Sequence, residues 1–168
     1  MSANLIDLGD LHVRIIDALA DDMEAAADLP DHQTVRYERP YIVLPEDCPL
    51  LCVWLEMKRL TPRGTNRWES AVGIGISWQW AAAEEIETLV NNPERTKENL
   101  MVLGRMERRI RVLASMQGDP GVPMPIKWDV PEAFQVMPES LDFVPPSSIE
   151  TGAVKGYAMG VRVSVEEQ

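Results

Sequence analysis

The stretch that decides the fold is residues 50–80, LLCVWLEMKRLTPRGTNRWESAVGIGISWQW. Apolar residues alternate with other residues in both halves, and this period of two is typical of strands with one buried face. A polar and basic segment, 61–67, separates the halves, so the stretch predicts an antiparallel hairpin. The side chains predicted to share the buried face are Leu51, Val53, Leu55 and Met57, and then Trp68, Ser70, Val72, Ile74, Ile76, Trp78 and Trp80.

Two longer segments carry apolar residues at helical spacing. The first runs from about Asn4 to Asp28 and includes Leu8, Leu11, Ile15, Ile16, Leu19, Met23 and Ala26. In the second, Asn92 is a suitable cap and Pro93 suits the first helical position. Its predicted buried stripe is Leu100, Leu103, Met106, Ile110 and Leu113, and Gly118 and Pro120 supply a stop. A shorter helix is predicted at 81–90.

The remaining segments predict strands. Short candidates at 34–37 and 41–44 are flanked by prolines, which suit the edge of a sheet. The alternating segment 157–166 needs a strand partner for its apolar face. Between 120 and 153 a proline-rich excursion contains only short apolar pieces, which predict short strands within a long loop. The whole chain, 1–168, therefore predicts a single α+β domain: a mostly antiparallel sheet of about four to six strands with two main helices packed on one face.

Charge and composition restrict the function. The 168 residues contain 27 acidic and 16 basic side chains, for a formal net charge of -11. Stable binding to nucleic acid depends on clustered Lys and Arg, so we expect none. The first residues do not resemble a signal peptide, and no apolar run is long enough to span a bilayer. We expect a soluble protein made in the cytoplasm, with its two cysteines as thiols.

No motif indicates catalysis or a cofactor. Cys48 and Cys52 lack the two further ligands of a zinc site, because the two histidines lie far away in the sequence, and we expect no metal. Cys52 is interpreted as a small apolar side chain in a strand. Gly73 and Gly75 lie within a strand rather than in a dinucleotide-binding loop, and they are predicted to admit either a close backbone or a bulky neighbour such as Trp54. We therefore expect a protein that is not an enzyme.

Three charged groups have two interpretations each. The acidic side of the first helix is either a solvated face or a surface that repels DNA or meets a basic partner. The hairpin connection is either an exposed turn or a contact with another subunit. The arginines of the second helix, including Arg111, either pair with carboxylates of the same chain or recognise an acidic partner. The candidate partner-contact residues are Arg63, Asn66, Arg67, Arg105, Arg108 and Arg109. The proline-rich excursion, 120–146 above all, is a further candidate contact.

These elements, taken in order, cover nearly the full length of the chain. The segments that define their order are Leu8 to Leu19, Cys52 to Leu60, Val72 to Trp80, Leu103 to Leu113 and Gly160 to Val165. This layout resembles the tail terminator, or tail completion, proteins of long-tailed bacteriophages and gene-transfer particles. The resemblance implies a non-enzymatic virion protein, without cofactors or a membrane partner, assembled in the host cytoplasm and located in the tail or neck.

Such a protein forms a homohexameric ring on the tail tube protein, ends the growth of the tube and joins it to head-completion or connector proteins. DNA passes through the channel without stable binding, which an acidic bore favours. Three alternatives remain open. They are a head–tail adaptor or stopper, a stand-alone acidic protein-binding module, and a small hydrolase with a site shared between subunits.

Overall fold

The computed structural model describes residues 8–39, 43–82, 93–115, 133–144 and 154–167. Within these ranges the chain forms two α-helices, five strands and one turn of 3-10 helix, Pro45–Asp47. The helices are α1 (Leu8–Ala26) and α2 (Pro93–Ala114). The strands are β1 (Gln33–Tyr37), β2 (Leu50–Gly64), β3 (Arg67–Ala81), β4 (Ala133–Val144) and β5 (Val154–Glu167).

The five strands make one sheet in the order β1-β2-β3-β5-β4. Only β1 and β2 run parallel; the other three pairs are antiparallel. The predicted α+β class and mostly antiparallel sheet are confirmed. β1 lies at an edge, as its flanking prolines predict, and β3 lies at the centre, paired along its length with both β2 and β5.

The predicted hairpin is present, but it is longer than the sequence suggests. β2 continues to Gly64 and β3 begins at Arg67, so only Thr65 and Asn66 form the turn. Asn66 has a φ of 60° and Gly64 a φ of 144°. Glycine and asparagine tolerate such positive values, which the tight reversal requires. The prediction of a connection spanning 61–67 was therefore wrong.

A bulge changes the facing of the second half of β2. The pairing register shifts at Glu56, after which Met57 pairs with Gly73 and Lys58 pairs with Val72. One extra residue reverses the alternation of every later side chain. Met57 thus lies on the face away from the helices, contrary to the prediction, and Lys58 lies on the face towards them.

Both helices pack on the same face of the sheet, as predicted. The main core contains Leu11, Ile15, Leu19 and Met23 of α1, Leu103, Met106, Ile110 and Leu113 of α2, and inward residues of β2, β3 and β5 such as Val53, Ile74, Ile76, Trp78, Val161 and Val163. Leu100 is 47% exposed and was predicted wrongly. The buried stripe of α2 continues through Val102 and Asn99 instead, which places Leu100 on the side facing solvent. Ala26 is also exposed.

A second, smaller cluster covers the opposite face of the sheet. It contains Val43, Leu50, Cys52, Trp54 and Val154. A Cβ atom built on Gly75 would overlap the Trp54 ring. The interpretation of this glycine as space for Trp54 is confirmed, as is the buried, apolar placement of Cys52.

The part of the excursion that the structure describes, 133–144, is one continuous strand rather than two short pieces in a loop. β4 pairs with β5 from Ala133 to Val144, with three interruptions of the register, and local sequence does not reveal this partner. Residues 120–132 and 145–153 lie outside the described ranges, as does most of the short helix predicted at 81–90. Ala81 is the last residue of β3. In the strand predicted at 41–44, residues 41 and 42 are not described, and 43–44 are not strand.

Candidate functional site

We call the end of the hairpin, residues 55–68, the arm. Trp68 still pairs with Glu167 of β5, so the arm is an uncovered edge of the sheet rather than a free projection. β1 pairs with β2 only from Leu50 to Trp54, and from residue 55 onward every β2 residue except Lys58 is exposed. Several large apolar side chains of the arm reach solvent: Leu55 (38% exposed), Met57 (46%), Leu60 (54%) and Trp68 (43%). Clustered exposed apolar side chains on a strand edge are typical of a contact surface.

Buried polar contacts fix the arm to the body. Lys58 Nζ lies 2.6 Å from Glu167 Oε1, and Ser70 Oγ donates to Glu167 Oε2 at 2.8 Å. Lys58 Nζ also donates to His12 Nε2 of α1 at 3.2 Å, since an ammonium group has no acceptor. Burial, assisted by the Lys58 charge, lowers the pKa of His12, which keeps the ring neutral as an acceptor. The base of the arm is therefore tied to both α1 and β5.

The three predicted contact residues at the tip of the hairpin lie together, and the two arginines among them already form ion pairs within the chain. Arg63 Nε donates to Glu69 at 2.8 Å, and Arg67 pairs with Glu166 of β5. Asn66 occupies the turn itself. Exposed ion pairs of this kind contribute little stability, so both arginines remain available to a partner.

Arg59 is the arm residue whose charge is least compensated, and it was not among the predicted contact residues. Arg59 is exposed and forms no ion pair with any residue in the described ranges. The segment 57–68 contains four basic residues and no acidic one, whereas the rest of the chain contains 12 basic and 27 acidic residues. This local reversal of charge is visible in the sequence and could have identified Arg59.

The arginines of α2 serve mainly within the chain. Arg109 makes a two-pronged bond to Asp22, with both distances 2.7 Å, and this pair joins α2 to α1. The Asp22 carboxylate raises the pKa of the Arg109 guanidinium. Arg111 pairs with Glu107 one turn earlier. For Arg109 and Arg111, the first interpretation, pairing with carboxylates of the same chain, describes the structure.

The other two predicted contact residues of α2 differ from each other. Arg108 is exposed, and no ion pair within the described ranges involves it. Arg105 donates from Nε to the carbonyl of Ala27 at 3.2 Å. The structure does not bring α2 and the arm into one site. Arg105 lies at the end of the sheet where β3 terminates, and the arm lies at the other end.

A cleft of about 730 Å³ opens at that end. Its described lining is Pro30, Pro45, Glu46, Cys48, Pro49, Trp80, Ala81, Arg95, Glu98, Asn99, Met101, Val102 and Arg105. Arg95 donates to the carbonyl of Ala81 at 3.2 Å. Glu46 and Glu98 are exposed and form no ion pair with the described residues. The cleft therefore has a largely apolar floor and a rim of both charges, with two glutamates and two arginines, and its volume is typical of a binding site.

Two tryptophans beside this cleft differ in their hydrogen bonding. Trp78 Nε1 donates to Asn99 Oδ1 at 2.9 Å, and Asn99 donates in turn to the carbonyl of Arg95. Trp80 lines the cleft and is 2% exposed, yet its indole N–H has no partner among the described residues. Most buried donors in folded proteins are paired, so a buried indole N–H without a described partner is unusual.

One interpretation held that the acidic side of α1 is a solvated face. In the structure, part of this side contacts β1. Arg36 of β1 donates to Asp17 at 3.0 Å and to Asp21 at 2.7 Å, and it lies 3.7 Å from Glu24. Tyr37 also donates to Asp17. These contacts bind the edge strand to α1. The pairing depends on the fold, because Arg36 lies 12 to 19 residues further along the chain than the carboxylates.

The thiols and histidines occupy separate environments. Burial raises the pKa of Cys48 to about 12 and that of Cys52 to about 11, so both remain protonated near neutral pH. His32 packs edge-on against Trp78 in the core. Among the described residues, no group of three or more His, Cys, Asp or Glu side chains is placed to hold a metal ion.

No helix within the described ranges is both long and apolar enough to cross a bilayer. Comparison of the sequence with protein-family models and with curated proteins finds no match.

Proposed function

We propose that this chain is a structural protein of a phage-like particle, a tail terminator that assembles as a homohexameric ring on the end of the tail tube. In this role it stops growth of the tube and contacts the head-completion proteins, without catalysing a reaction. The observation that carries the proposal is the arm, whose exposed apolar side chains lie on a rigidly anchored hairpin.

The anchoring favours assembly over a flexible binding loop. Lys58, Ser70 and Glu167 hold the base of the arm in one position, and a pre-positioned surface loses less conformational entropy on association. An arm of this kind suits a building block that must meet identical neighbours in identical geometry. The first helix, the hairpin, the second helix and the final strand, which belong to the layout that suggested the tail terminator family, follow in that order in the structure.

Charge supports the same proposal. Outside 57–68 the chain is strongly acidic, and an acidic ring permits DNA to pass without adhering to the bore. The basic arm is then suited to protein contacts rather than to DNA.

The proposal is tested by particle assembly. A double variant, Leu60→Ser with Trp68→Ser, removes two exposed apolar side chains of the arm without touching the buried core. When it replaces the wild-type chain beside the other tail genes, we expect a folded protein, tails of uncontrolled length and no joined particles. Circular dichroism checks the fold, and electron microscopy counts joined particles.

Leu100→Ser is the matched control, because Leu100 is an equally exposed leucine on α2 outside the arm. It should leave tail length and joining unchanged. Normal joining with the arm variant would contradict the proposal. A ring found on the head side of the neck, rather than on the tube, would favour the adaptor or stopper alternative.

A further inference from the structure

We infer that a pocket between the end of α1 and the middle of α2 binds a small, doubly charged oxyanion of the phosphate class. The pocket has a volume of about 300 Å³, separate from the larger cleft except for one shared residue, Arg105. Its described lining is Ala26, Ala27, Asp28, Arg105, Arg108, Arg109 and Val112. The inference goes beyond the proposed function and does not depend on it.

The spacing of the three arginines on α2 brings them to one pocket. Residues three and four apart share a face of a helix, so Arg105 lies one turn before both Arg108 and Arg109. Like charges at this spacing repel one another and destabilise a helix. Asp22 compensates Arg109 alone, through its two bonds of 2.7 Å. A concave surface lined by charges of one sign raises the local concentration of the opposite ion, which here is an anion.

Many of the guanidinium donors in this pocket remain unused by the described residues. Arg105 donates from Nε to the carbonyl of Ala27 at 3.2 Å, and its terminal nitrogens have no described acceptor. Arg108 is exposed and forms no ion pair within the described ranges. A guanidinium group carries five N–H donors in a planar fork that matches phosphate. The pocket can therefore donate several charge-assisted hydrogen bonds to one anion while the contacts with Ala27 and Asp22 are kept.

Charge and size restrict the class of ligand. Asp28 is the only carboxylate in the described lining, and it forms no ion pair with the three arginines. With Asp22 included, three positive charges meet two negative ones, although the whole chain has a formal net charge of -11. The volume lies at the lower limit for organic ligands, so a small ion with its waters suits it better. Coulomb attraction to the surplus positive charge doubles for a dianion, which favours phosphate over chloride.

Calorimetric titration of the full chain with inorganic phosphate tests the inference, and sodium chloride at matched ionic strength is the comparison. We expect a dissociation constant for phosphate of about 1 mM or lower, and no measurable binding of chloride. Arg108→Gln should weaken phosphate binding at least about tenfold, because it removes a charge-assisted hydrogen bond. Asp28→Asn should strengthen it, because it removes a negative charge from the lining. Asparagine also tolerates the positive φ of 52° at this position.

Arg111→Gln is the matched control, since Arg111 is an exposed arginine of the same helix outside the pocket. It should leave the dissociation constant for phosphate unchanged, and circular dichroism checks that all three variants are folded. Weaker binding in Arg108→Gln together with stronger binding in Asp28→Asn supports the inference. Absence of phosphate binding beyond the effect of sodium chloride, or equal losses in Arg108→Gln and Arg111→Gln, overturns it.

Discussion

Lys58 of the arm and Glu167 near the end of β5 form an ion pair of 2.6 Å in which both side chains are largely buried. The pair links β2 to β5 across β3 at the base of the arm. Ser70 donates a further hydrogen bond to Glu167, and His12 accepts one from Lys58. A buried charge without its partner costs free energy, so the position of the arm depends on Lys58 and Glu167 both being present.

Glu167→Gln should lower the free energy of unfolding by about 3 kcal/mol, because it leaves the Lys58 ammonium buried without a counter-charge. Adding Lys58→Met should recover much of this loss, since neither side chain is then charged. Urea denaturation measures both effects. Glu107→Gln, which breaks the exposed pair with Arg111, is the control and should cost about 0.5 kcal/mol or less. Equal losses in Glu167→Gln and the control would contradict a buried pair.

Three glycines should respond to alanine in three ways. Gly75→Ala should destabilise by about 3 kcal/mol, because the new methyl group overlaps the rigid Trp54 ring. Gly73→Ala should cost less, since its Cβ meets Met57 Cγ at 2.8 Å and that side chain can shift. Gly104→Ala in α2 meets nothing within 4 Å and should stabilise by about 1 kcal/mol. Thermal unfolding of the three variants measures the order of their stabilities. A Gly75→Ala variant as stable as the wild type would show that the Trp54 ring does not pack against Gly75.

The hairpin shows how much of the fold the alternation of side chains can predict. Strict alternation of side chains was sufficient to predict two paired strands, and it also predicted the strand at the end of the chain. It failed at Glu56, because a bulge depends on the registers of two strands together and leaves no local pattern. The twelve residues of β4 were divided into two pieces for a related reason. Pro138 and charged neighbours weaken their strand pattern, and only the presence of β5 makes them one strand.

The predicted contact residues show that the pairing of charged side chains depends on the folded structure. Arginines on α2 were recognised as a cluster, but which of them is bound within the chain depends on where Asp22 lies in the folded protein. Arg63, Asn66 and Arg67 were identified because a basic turn in an acidic chain is visible without a structure. The cleft was not predicted, since residues from four separate segments line it.

Arg109 and Arg108 should therefore differ sharply when replaced. Arg109→Ala should lower the free energy of unfolding by about 2 kcal/mol, because it leaves the largely buried Asp22 carboxylate without its two-pronged partner. Arg108→Ala, one residue away and exposed, should change it by less than about 0.5 kcal/mol. Chemical denaturation of both variants checks the difference. Similar values for the two would show that Arg109 does not join the helices.

Stability should also depend on pH through His12. Its pKa is lowered in the folded state from the ordinary value of 6.5, chiefly by burial, so the unfolded chain binds the proton more readily. Stability is therefore fully present above the unfolded pKa and falls as the pH drops through that value towards the lower folded one.

His12→Gln should flatten this loss between about pH 7.5 and about pH 5.5 while leaving the carboxylate titrations at lower pH in place. Urea denaturation at both pH values gives the comparison. Val13→Gln is the control, because Val13 is an exposed neighbour of His12 on α1 that carries no ionisable group, and it should leave the slope unchanged within this window. An identical pH slope in wild type and His12→Gln would show that His12 is not perturbed at the base of the arm.

The central claim is that this chain is a ring-forming component at the end of a tail tube. Cryo-electron microscopy of purified tails carrying the wild-type chain tests it most directly. The account predicts a sixfold ring on the tube end nearest the head, with the arm of each copy in contact with its neighbour. Tails that end without such density, together with a chain found only as free monomers, would contradict it.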